Sequence, residues 1–229
     1  MTDDPETPFD PEFFAQFERG KRPPCQLYLI SPPEIDAGFA DRLKGALEAG
    51  PVAAFQLRIK GMDDHALARL AEPLQKICAD LDIAFIVNDS IAMAKRLGAD
   101  GVHLGQADGD PREARSILGR DAQIGVTCHN SRHLAMEAGD AGADYVAFGA
   151  VYPTDTKIVQ HFAETEILEW WSTLFELPCV AIGGITVENA PPLVAAGADF
   201  LAVCRAIWSA PDGEAAAVRR FSNALRPAV

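Results

Sequence analysis

The sequence predicts an α/β protein with the architecture of a single-domain (β/α)₈ barrel, a TIM barrel, behind an N-terminal extension. Eight short apolar segments alternate with segments of helical period at intervals of roughly 20–30 residues, and this alternation implies a parallel sheet. The length of 229 residues fits one closed barrel of this kind. An open, doubly wound sheet usually carries a glycine-rich dinucleotide fingerprint after its first strand, and none is present here. The closed barrel is therefore the preferred fold.

The first half of the chain provides an arm and four strand–helix units. Residues 1–24 lack periodicity and end in two prolines, so they are predicted to form a loose N-terminal arm before a barrel over 25–229. The periods of two and 3.6 residues predict the elements that follow. The strands are expected at 26–30, 52–57, 85–87 and 102–104. The helices are expected at 39–49, at 65–81 with a kink at Pro73, at 91–97 before Gly98, and at 111–118 with Pro111 in its first turn.

The second half repeats the same alternation. The four remaining strands are expected at 123–127, 145–149, 179–182 and 200–203. Ser131 should cap a helix that runs to Gly142, and a second helix is expected at 164–175. Thr186 should cap a third helix, which Gly197 ends, and the last helix is expected at about 213–225.

Composition and charge exclude several classes of partner. The formal net charge is −13, which disfavours nucleic acid and anionic membranes, although a local basic cluster or a metal could still bind an anionic substrate. No apolar run approaches the ~20 residues that span a bilayer, and the acidic N-terminus is unlike a signal peptide, so a cytoplasmic location is expected. The five cysteines show no C-x-x-C spacing and are expected to be reduced thiols. The oligomeric state stays open, a homo-oligomer included.

Two carboxylates follow neighbouring strands of the predicted barrel. Asp89 comes just after the strand at 85–87, and Asp108 comes shortly after the strand at 102–104. Because a right-handed crossover makes these strands parallel neighbours, the carboxylates should converge at one edge of the sheet. Such a pair suits a hard cation, above all Mg²⁺ that holds phosphate oxygens. Helix capping by Asp89 and a turn role for Asp108 explain the same residues equally well.

Basic and polar side chains follow other strands. Gln56 and Arg58 share one face of the second strand, and Lys60 continues that face towards the mouth of the barrel. An inward arginine is costly to bury without an anionic partner, so an anion site is favoured over a surface Arg and Lys. The stretch at 153–157 adds hydroxyls and the ammonium of Lys157, which suits phosphate but also a solvated turn.

The seventh strand ends in two glycines. Gly183 and Gly184 allow a ligand to approach the backbone closely, and a helix capped by Thr186 would present free N–H groups. Together with the start of the segment after the eighth strand, they predict a phosphate cup. Among the five histidines, His103 and His129 lie at strand ends, where a structural role is favoured over acid–base chemistry. No histidine pair has metal-ligand spacing, and no Ser/His/Asp arrangement can be asserted.

Five motifs carry a family resemblance. They are Q-L-R-I-K (56–60), N-D (88–89), G-A-D-G-V-H-L-G-Q-x-D (98–108), F-G-x-V-Y-P-T-D-T-K (148–157) and A-I-G-G-I (181–185). In order and spacing they resemble the thiamine phosphate synthase family over about residues 26–208. The resemblance implies a (β/α)₈ barrel that joins an aminopyrimidine diphosphate to a thiazole phosphate and releases pyrophosphate.

The resemblance also implies roles for residues. Asp89 and Asp108 match Mg²⁺ ligands, and Arg58, Lys60 and Lys157 match catalytic cations in a dissociative mechanism that needs no nucleophile. The positions that match the pyrimidine diphosphate site are Gln56, Leu57, Arg58, Ile59, Lys60, Asn88, Thr127 and Lys157. Those that match the thiazole phosphate site are Thr154, Asp155, Thr156, Gly184, Cys204 and Arg205, beside Gly183.

Several residues depart from the family pattern. Ala150 stands where a proline is usual, and Ser90 replaces an arginine that often follows Asn-Asp. Cys204 replaces an aliphatic residue and Arg205 a small hydroxyl residue in the cup. Two other functions therefore stay open: a thiazole tautomerase that uses His129 as acid and base, and a non-catalytic binder of thiazole phosphate or thiamine phosphate.

Overall fold

A closed barrel of eight parallel strands forms the centre of the molecule. The computed structural model describes residues 22–154 and 162–225. Each strand pairs with the next along the chain, and the eighth pairs with the first. The strands are β1 (Gln26–Ile30), β2 (Val52–Leu57), β3 (Ala84–Asn88), β4 (Gly101–Leu104), β5 (Gln123–His129), β6 (Tyr145–Gly149), β7 (Cys179–Ile182) and β8 (Phe200–Val203). The predicted (β/α)₈ fold is confirmed.

Helices follow the strands and cover the outside of the barrel. Within the described residues they are α1 (Phe39–Leu47), α2 (Asp64–Asp80), α3 (Ile91–Leu97), α4 (Pro111–Leu118), α5 (Arg132–Asp140), α6 (Thr165–Leu174), α7 (Ala190–Ala195), α8 (Arg205–Trp208) and α9 (Glu214–Ala224). In that part of the chain, no helix combines the length and apolar character needed to cross a bilayer. The short helix α8, directly after β8, was not predicted from the sequence.

The predicted start of one helix is wrong. Thr186 does not cap α7, because the helix begins at Ala190 and Asn189 is its N-cap residue; the Thr186 N–H instead donates to Oδ1 of Asn189 at 2.7 Å. Pro191 and Pro192 lack an N–H group and are tolerated only in a first helical turn, which explains the late start. Elsewhere Ser131 caps α5 as predicted, since its hydroxyl accepts from the Leu134 N–H at 3.2 Å.

Alternating residues of each strand build two separate cores. Side chains such as Leu27 and Leu29 point outward and pack against the helices. Tyr28 and Ile30 lie between them in sequence and face the barrel interior, where the core is smaller. Two polar residues, Gln56 and His103, are also buried in the interior, with 3% and 6% of their surface exposed. The interior therefore contains hydrogen-bonding groups below the mouth of the barrel.

A Gly-Ala-Asp turn recurs at the end of the barrel opposite the mouth. Gly98, Gly142 and Gly197 adopt positive φ, and each is followed two residues later by an aspartate that leads into a strand. The three aspartates accept from backbone N–H groups on the preceding strand: Asp100 from Phe85 at 2.7 Å, Asp144 from Ile124 at 2.7 Å, and Asp199 from Cys179 at 2.8 Å. Because this face lies away from the mouth, the repeated turn contributes to stability rather than to chemistry.

Candidate active site

A cavity of about 890 Å³ opens at the carboxyl ends of the strands. Most side chains predicted to form the site line it. They are Gln56, Arg58, Lys60, Asn88, Asp89, Asp108, Thr127, Thr154, Gly183, Gly184, Cys204 and Arg205. Residues from seven strands or their following segments therefore meet in one place, as expected for a parallel barrel.

Two other predicted positions have side chains elsewhere. Leu57 is buried in the outer core, and Ile59 packs against that core, so neither side chain lines the cavity. Both alternate with Gln56, Arg58 and Lys60, and the period of two along an extended chain sends them to the opposite face. Three further predicted residues lie outside the described residues: Asp155, Thr156 and Lys157.

The segment after β2 brings two cations to the mouth. The backbone N–H of Arg58 donates to Oγ of Ser31 at 2.8 Å, which ties this segment to the end of β1. Lys60 lies farther out, and its Nζ is 3.3 Å from Oδ2 of Asp89. The lysine side chain is 63% exposed, so the ion pair is a weak restraint that an anionic ligand can replace.

Asp89 and Asp108 meet, as the strand order predicts. Asp89 adopts the left-handed region with φ 66°, and its N–H donates to the His103 carbonyl of β4 at 2.8 Å. Burial raises the pKa of Asp108, and a hydrogen bond with the Asp89 carboxyl and the charge of that neighbour raise it further. Two carboxyl groups this close repel each other when both are ionised, so a cation between them is favoured.

The alternative roles of the two aspartates have different outcomes. Asp89 does not cap α3, because Ser90 does so by accepting from the Met93 N–H at 3.1 Å. Asp108 does have a turn role, since its Oδ2 accepts from the Gly105 N–H at 2.9 Å. That bond uses one oxygen and fixes the orientation of the carboxyl group. The turn role and a ligand role are thus compatible.

The donor set at this edge fits Mg²⁺. Within the described residues no cluster of three or more His, Cys, Asp or Glu side chains could hold a metal without other ligands. Mg²⁺ commonly takes one or two protein carboxylates and completes its shell with water and substrate phosphates. The Asp89–Asp108 pair supplies that number of hard oxygen ligands. The pair therefore suits a metal that arrives with, or is completed by, a diphosphate.

The two glycines after β7 are required by close packing. Gly183 and Gly184 have φ of 105° and 65°. A Cβ atom on Gly183 would lie 2.5 Å from Cβ of Ala150, and one on Gly184 would lie 2.4 Å from the Pro153 carbonyl oxygen. The loops after β6 and β7 therefore pack backbone against backbone at this side of the cavity. The Thr186 N–H, expected to be free for a ligand, is already bonded to Asn189.

Helix α8 also borders the cavity, where its first residue, Arg205, lines it. Nε1 of Trp208 donates to the Ile30 carbonyl at 2.6 Å and anchors the helix on β1. Cys204 lies just before the helix, and its thiol contacts the Ser31 carbonyl at 3.4 Å. Burial raises the pKa of the Cys204 thiol to about 11, although the charge of Arg58 acts in the opposite direction. The thiol is therefore neutral at physiological pH, and it lies within the electrostatic influence of Arg58.

Two tyrosines of the barrel interior were not among the predicted site residues. Tyr28 on β1 and Tyr145 on β6 are joined by their hydroxyls at 3.0 Å. Nε2 of Gln56 lies 2.9 Å from the Tyr28 hydroxyl, and Nδ1 of His103 lies 3.1 Å from that of Tyr145. Their position between apolar neighbours on a strand resembles ordinary core packing. Only the period of two, which places them on the inner face, could have suggested a connection with Gln56.

The two histidines of interest differ in their surroundings. His103 is buried, and its Nε2 lies 2.8 Å from Oγ1 of Thr127. It also stacks on Tyr145 with ring centroids 5.6 Å apart, which agrees with the structural role favoured from the sequence. His129 ends β5 in the left-handed region with φ 54° and lines the cavity. It is therefore placed where a ligand could reach it.

Comparison with known proteins identifies the family. The family model described as thiamine monophosphate synthase matches residues 27–207. The chain belongs to this family. It is 64% identical over 209 residues to the thiamine-phosphate synthase of Erythrobacter litoralis, an alignment that covers 90% of this chain and 97% of that one. It is 57% identical over 203 residues to the enzyme of the same name from Rhodospirillum centenum, with 88% and 98% covered.

A solved structure shares the fold and part of the sequence. The thiamine phosphate pyrophosphorylase from Pyrococcus furiosus superposes with a TM-score of 0.77 at 30% identity, covering 87% of this chain and 95% of that one. The family, the barrel and the enzymatic synthesis of thiamine phosphate that the sequence predicted are therefore confirmed.

Proposed function

We propose that this chain condenses an aminopyrimidine diphosphate with a thiazole phosphate in a Mg²⁺-dependent, dissociative reaction. The observation that carries the proposal is the convergence of Asp89, Asp108 and Lys60 at one edge of the cavity, with Arg58 in the same segment after β2 as Lys60. Two acidic and two basic groups suit a metal together with the anion that it binds.

The diphosphate would occupy the side of the cavity that β2, β3 and β4 border. Asp89 and Asp108 would hold Mg²⁺, and Arg58 and Lys60 would pair with diphosphate oxygens, with Lys157 as a third cation. When bound, Mg²⁺ supplies stabilisation of the negative charge that builds up on a leaving diphosphate. Gln56, Asn88 and Thr127 would hold the pyrimidine end below it. This arrangement places positive charge where the carbon–oxygen bond breaks.

The thiazole phosphate would occupy the side that β6, β7 and β8 border. Gly183 and Gly184 would allow its phosphate to approach the backbone, with Thr154, Cys204 and Arg205 around it, and the family resemblance adds Asp155 and Thr156 to this set. The pyrimidine and the thiazole would then face each other across the cavity. Holding two reactants in this geometry replaces much of the entropic cost of their encounter.

Positioning and charge stabilisation account for the chemistry. Loss of pyrophosphate would leave a pyrimidine methylene cation, which the thiazole nitrogen captures with its lone pair. No protein nucleophile and no general base is needed for this sequence of bond changes. The chain's own contribution is to neutralise the departing anion, to hold the two rings in line and to keep water away from the cation.

A titration of activity against metal tests the proposal directly. Pyrophosphate release should need both substrates, should stop with EDTA and should return when Mg²⁺ is added. A crystal soaked with pyrophosphate and Mg²⁺ should place the metal between Asp89 and Asp108. A metal found elsewhere, or release that continues unchanged in EDTA, would overturn the assignment.

The position of His129 keeps the tautomerase alternative testable. Its side chain lines the same cavity, which is where a proton shuttle to a thiazole would need to lie. A tautomerase would retain its rate in EDTA and lose it in His129→Ala, whereas the synthase should show the opposite sensitivity.

A further inference from the structure

A continuous chain of hydrogen bonds crosses the interior of the barrel below the cavity. It links Gln56 on β2 to Tyr28 on β1 at 2.9 Å, Tyr28 to Tyr145 on β6 at 3.0 Å, and Tyr145 to His103 on β4 at 3.1 Å. The last link joins His103 to Oγ1 of Thr127 on β5 at 2.8 Å. Its two ends, Gln56 and Thr127, both line the cavity. Five strands are thus connected through their side chains.

The middle of the chain is shielded from water. Tyr28, Tyr145 and His103 have 4%, 7% and 6% of their surface exposed. Burial raises the pKa of Tyr28 to about 12 and that of Tyr145 well above its usual 10, so each hydroxyl keeps its proton. Within the described residues, these hydroxyls have no hydrogen-bond partners beyond the chain itself. Each tyrosine therefore has one hydrogen to donate and nowhere else to donate it.

Because each tyrosine hydroxyl has a single hydrogen, all the hydrogen bonds in this side-chain network must donate in the same direction. If the Gln56 amide nitrogen donates to Tyr28, the Tyr28 hydrogen must go to Tyr145, because an amide nitrogen cannot accept it. The Tyr145 hydrogen then goes to Nδ1 of His103, and a neutral imidazole donates its remaining hydrogen from Nε2 to Thr127. The Thr127 hydroxyl is left to donate into the cavity. The Gln56 carbonyl oxygen is left as an acceptor at the other end.

The reverse direction is the other self-consistent state. If the Gln56 amide is rotated so that its oxygen accepts from Tyr28, every bond reverses, and Thr127 uses its hydrogen on Nε2 of His103. Gln56 then offers a donor to the cavity, and Thr127 offers an acceptor. With a neutral His103, any mixed arrangement either leaves a buried hydroxyl hydrogen without an acceptor or leaves no hydrogen between the two tyrosine oxygens at 3.0 Å, and both are unfavourable. In both allowed states, the two ends have opposite hydrogen-bonding character.

We propose that Tyr28, Tyr145 and His103 are positioning residues that couple Gln56 to Thr127, so that the cavity always offers one donor together with one acceptor. This pair complements a heterocycle that carries an amino group and an unprotonated ring nitrogen, which is the character of the aminopyrimidine. The inference rests on the proposed function, because it places the pyrimidine between these two ends. It assigns the choice of the amino-bearing ring to a buried network whose two tyrosines lie below the cavity and do not line it.

Removing one hydroxyl from the middle of the chain tests the coupling. Tyr145→Phe keeps the ring and its packing but separates the Gln56 end from the Thr127 end. Calorimetry should compare the aminopyrimidine diphosphate with an analogue in which hydrogen replaces the amino group. The wild-type enzyme should prefer the amino compound by about 10–100-fold, the equivalent of a satisfied buried hydrogen-bond pair. In Tyr145→Phe this preference should fall to a few-fold, while the affinity for thiazole phosphate is unchanged.

Two further variants separate coupling from general structural damage. Tyr28→Phe removes the link between the tyrosines together with the one to Gln56 and should reduce the preference equally, so the test stands even if Tyr145→Phe folds poorly. Tyr152→Phe is the matched control, since its hydroxyl donates to the Asn189 carbonyl at 2.9 Å outside the chain. That variant should keep the full preference for the amino compound.

The outcomes distinguish a failure of the proposed coupling from a failure of the proposed function on which it rests. If the wild-type enzyme binds both pyrimidine diphosphates equally, the placement of the pyrimidine is wrong, and the inference falls with it. If the wild-type enzyme prefers the amino compound and both Tyr→Phe variants retain that preference, the coupling alone is overturned.

Discussion

The ammonium of Lys60 lies 3.3 Å from the carboxylate of Asp89, on the side of the cavity where Asp108 approaches the same carboxylate. One cation thus faces two acidic groups, and the pKa of Asp108 is raised because burial and Asp89 both oppose its ionisation. A divalent cation at this position would relieve that repulsion and release Lys60 for an anionic ligand.

Asp89→Asn should reduce the rate of thiamine phosphate formation by about 10²–10³-fold, the typical loss when one electrostatic contact to a transition state is removed. Asparagine tolerates the left-handed backbone that Asp89 adopts at φ 66°, so the fold should be retained. An alanine at this position would add backbone strain and confuse the two effects. Steady-state kinetics against Mg²⁺ concentration, with thermal unfolding of the same sample, checks both parts.

Asp110→Ala is the control for this experiment. Asp110 lies two residues beyond Asp108, and its side chain caps α4 by accepting from the Arg112 N–H at 2.7 Å. Its loss should lower the free energy of unfolding by about 0.5–2 kcal/mol and leave the Mg²⁺ dependence unchanged. If Asp89→Asn kept the wild-type rate, or if both variants lost activity equally, the metal assignment would be wrong.

Much of the site could be predicted because a parallel barrel converts chain order into position. Once strands were recognised, the carboxyl ends of β2, β3 and β4 had to adjoin, so Arg58, Asp89 and Asp108 were expected to meet. The period of two also placed Gln56 and Arg58 on the cavity side. These rules need only local sequence and the order of the strands.

The remaining features depend on contacts between residues far apart in the chain. Tyr28 and Tyr145 are 117 positions apart and on strands that are not neighbours, so no local pattern shows that their hydroxyls meet. Thr186 is a residue type that often caps helices, but its N–H donates to Asn189, and the two prolines that follow confine the helix start to Ala190. Several nearby polar side chains can accept a hydrogen bond from the N–H groups at a helix start, and residue propensity alone does not show which of them does so.

Gly184→Ala should raise the KM for thiazole phosphate, and the rise should be larger than the loss of stability alone explains. A Cβ atom there would lie 2.4 Å from the Pro153 carbonyl oxygen, so the loop after β6 must move at the proposed phosphate site. Gly98→Ala is the matched control, because Gly98 has a similar φ of 59° but no neighbouring atom within 4 Å of the added carbon. Both variants should lose about 1–2 kcal/mol to backbone strain. A KM that rises equally in both would show that strain, and not the loop contact, is responsible.

Asp144→Ala should destabilise the barrel without affecting catalysis. Its Oδ2 accepts from the Ile124 N–H at 2.7 Å and from Nη2 of Arg115 at 2.5 Å, at the end of the barrel away from the cavity. Loss of a charged acceptor for a backbone N–H should lower the free energy of unfolding by about 1–3 kcal/mol. Urea unfolding measures this loss, and kcat/KM at a temperature where both proteins are folded should agree with the wild type. A large fall in kcat/KM would contradict this prediction, because it would mean that a change at this end of the barrel alters the active site.

Alkylation of Cys204 should be slow at neutral pH and should accelerate as the pH rises. The thiolate is the reactive form, and burial raises the pKa of this thiol to about 11, so its fraction grows about tenfold for each pH unit below that value. Arg58→Gln removes the positive charge that lowers this pKa, and the variant should therefore react more slowly than the wild type at the same pH. Mass spectrometry of iodoacetamide-treated protein follows the modified residue, with Cys204→Ala as the control. Thiazole phosphate should protect the thiol from alkylation if it occupies the proposed cup. Rapid, pH-independent labelling of Cys204 would contradict both the burial of the thiol and its placement beside Arg58.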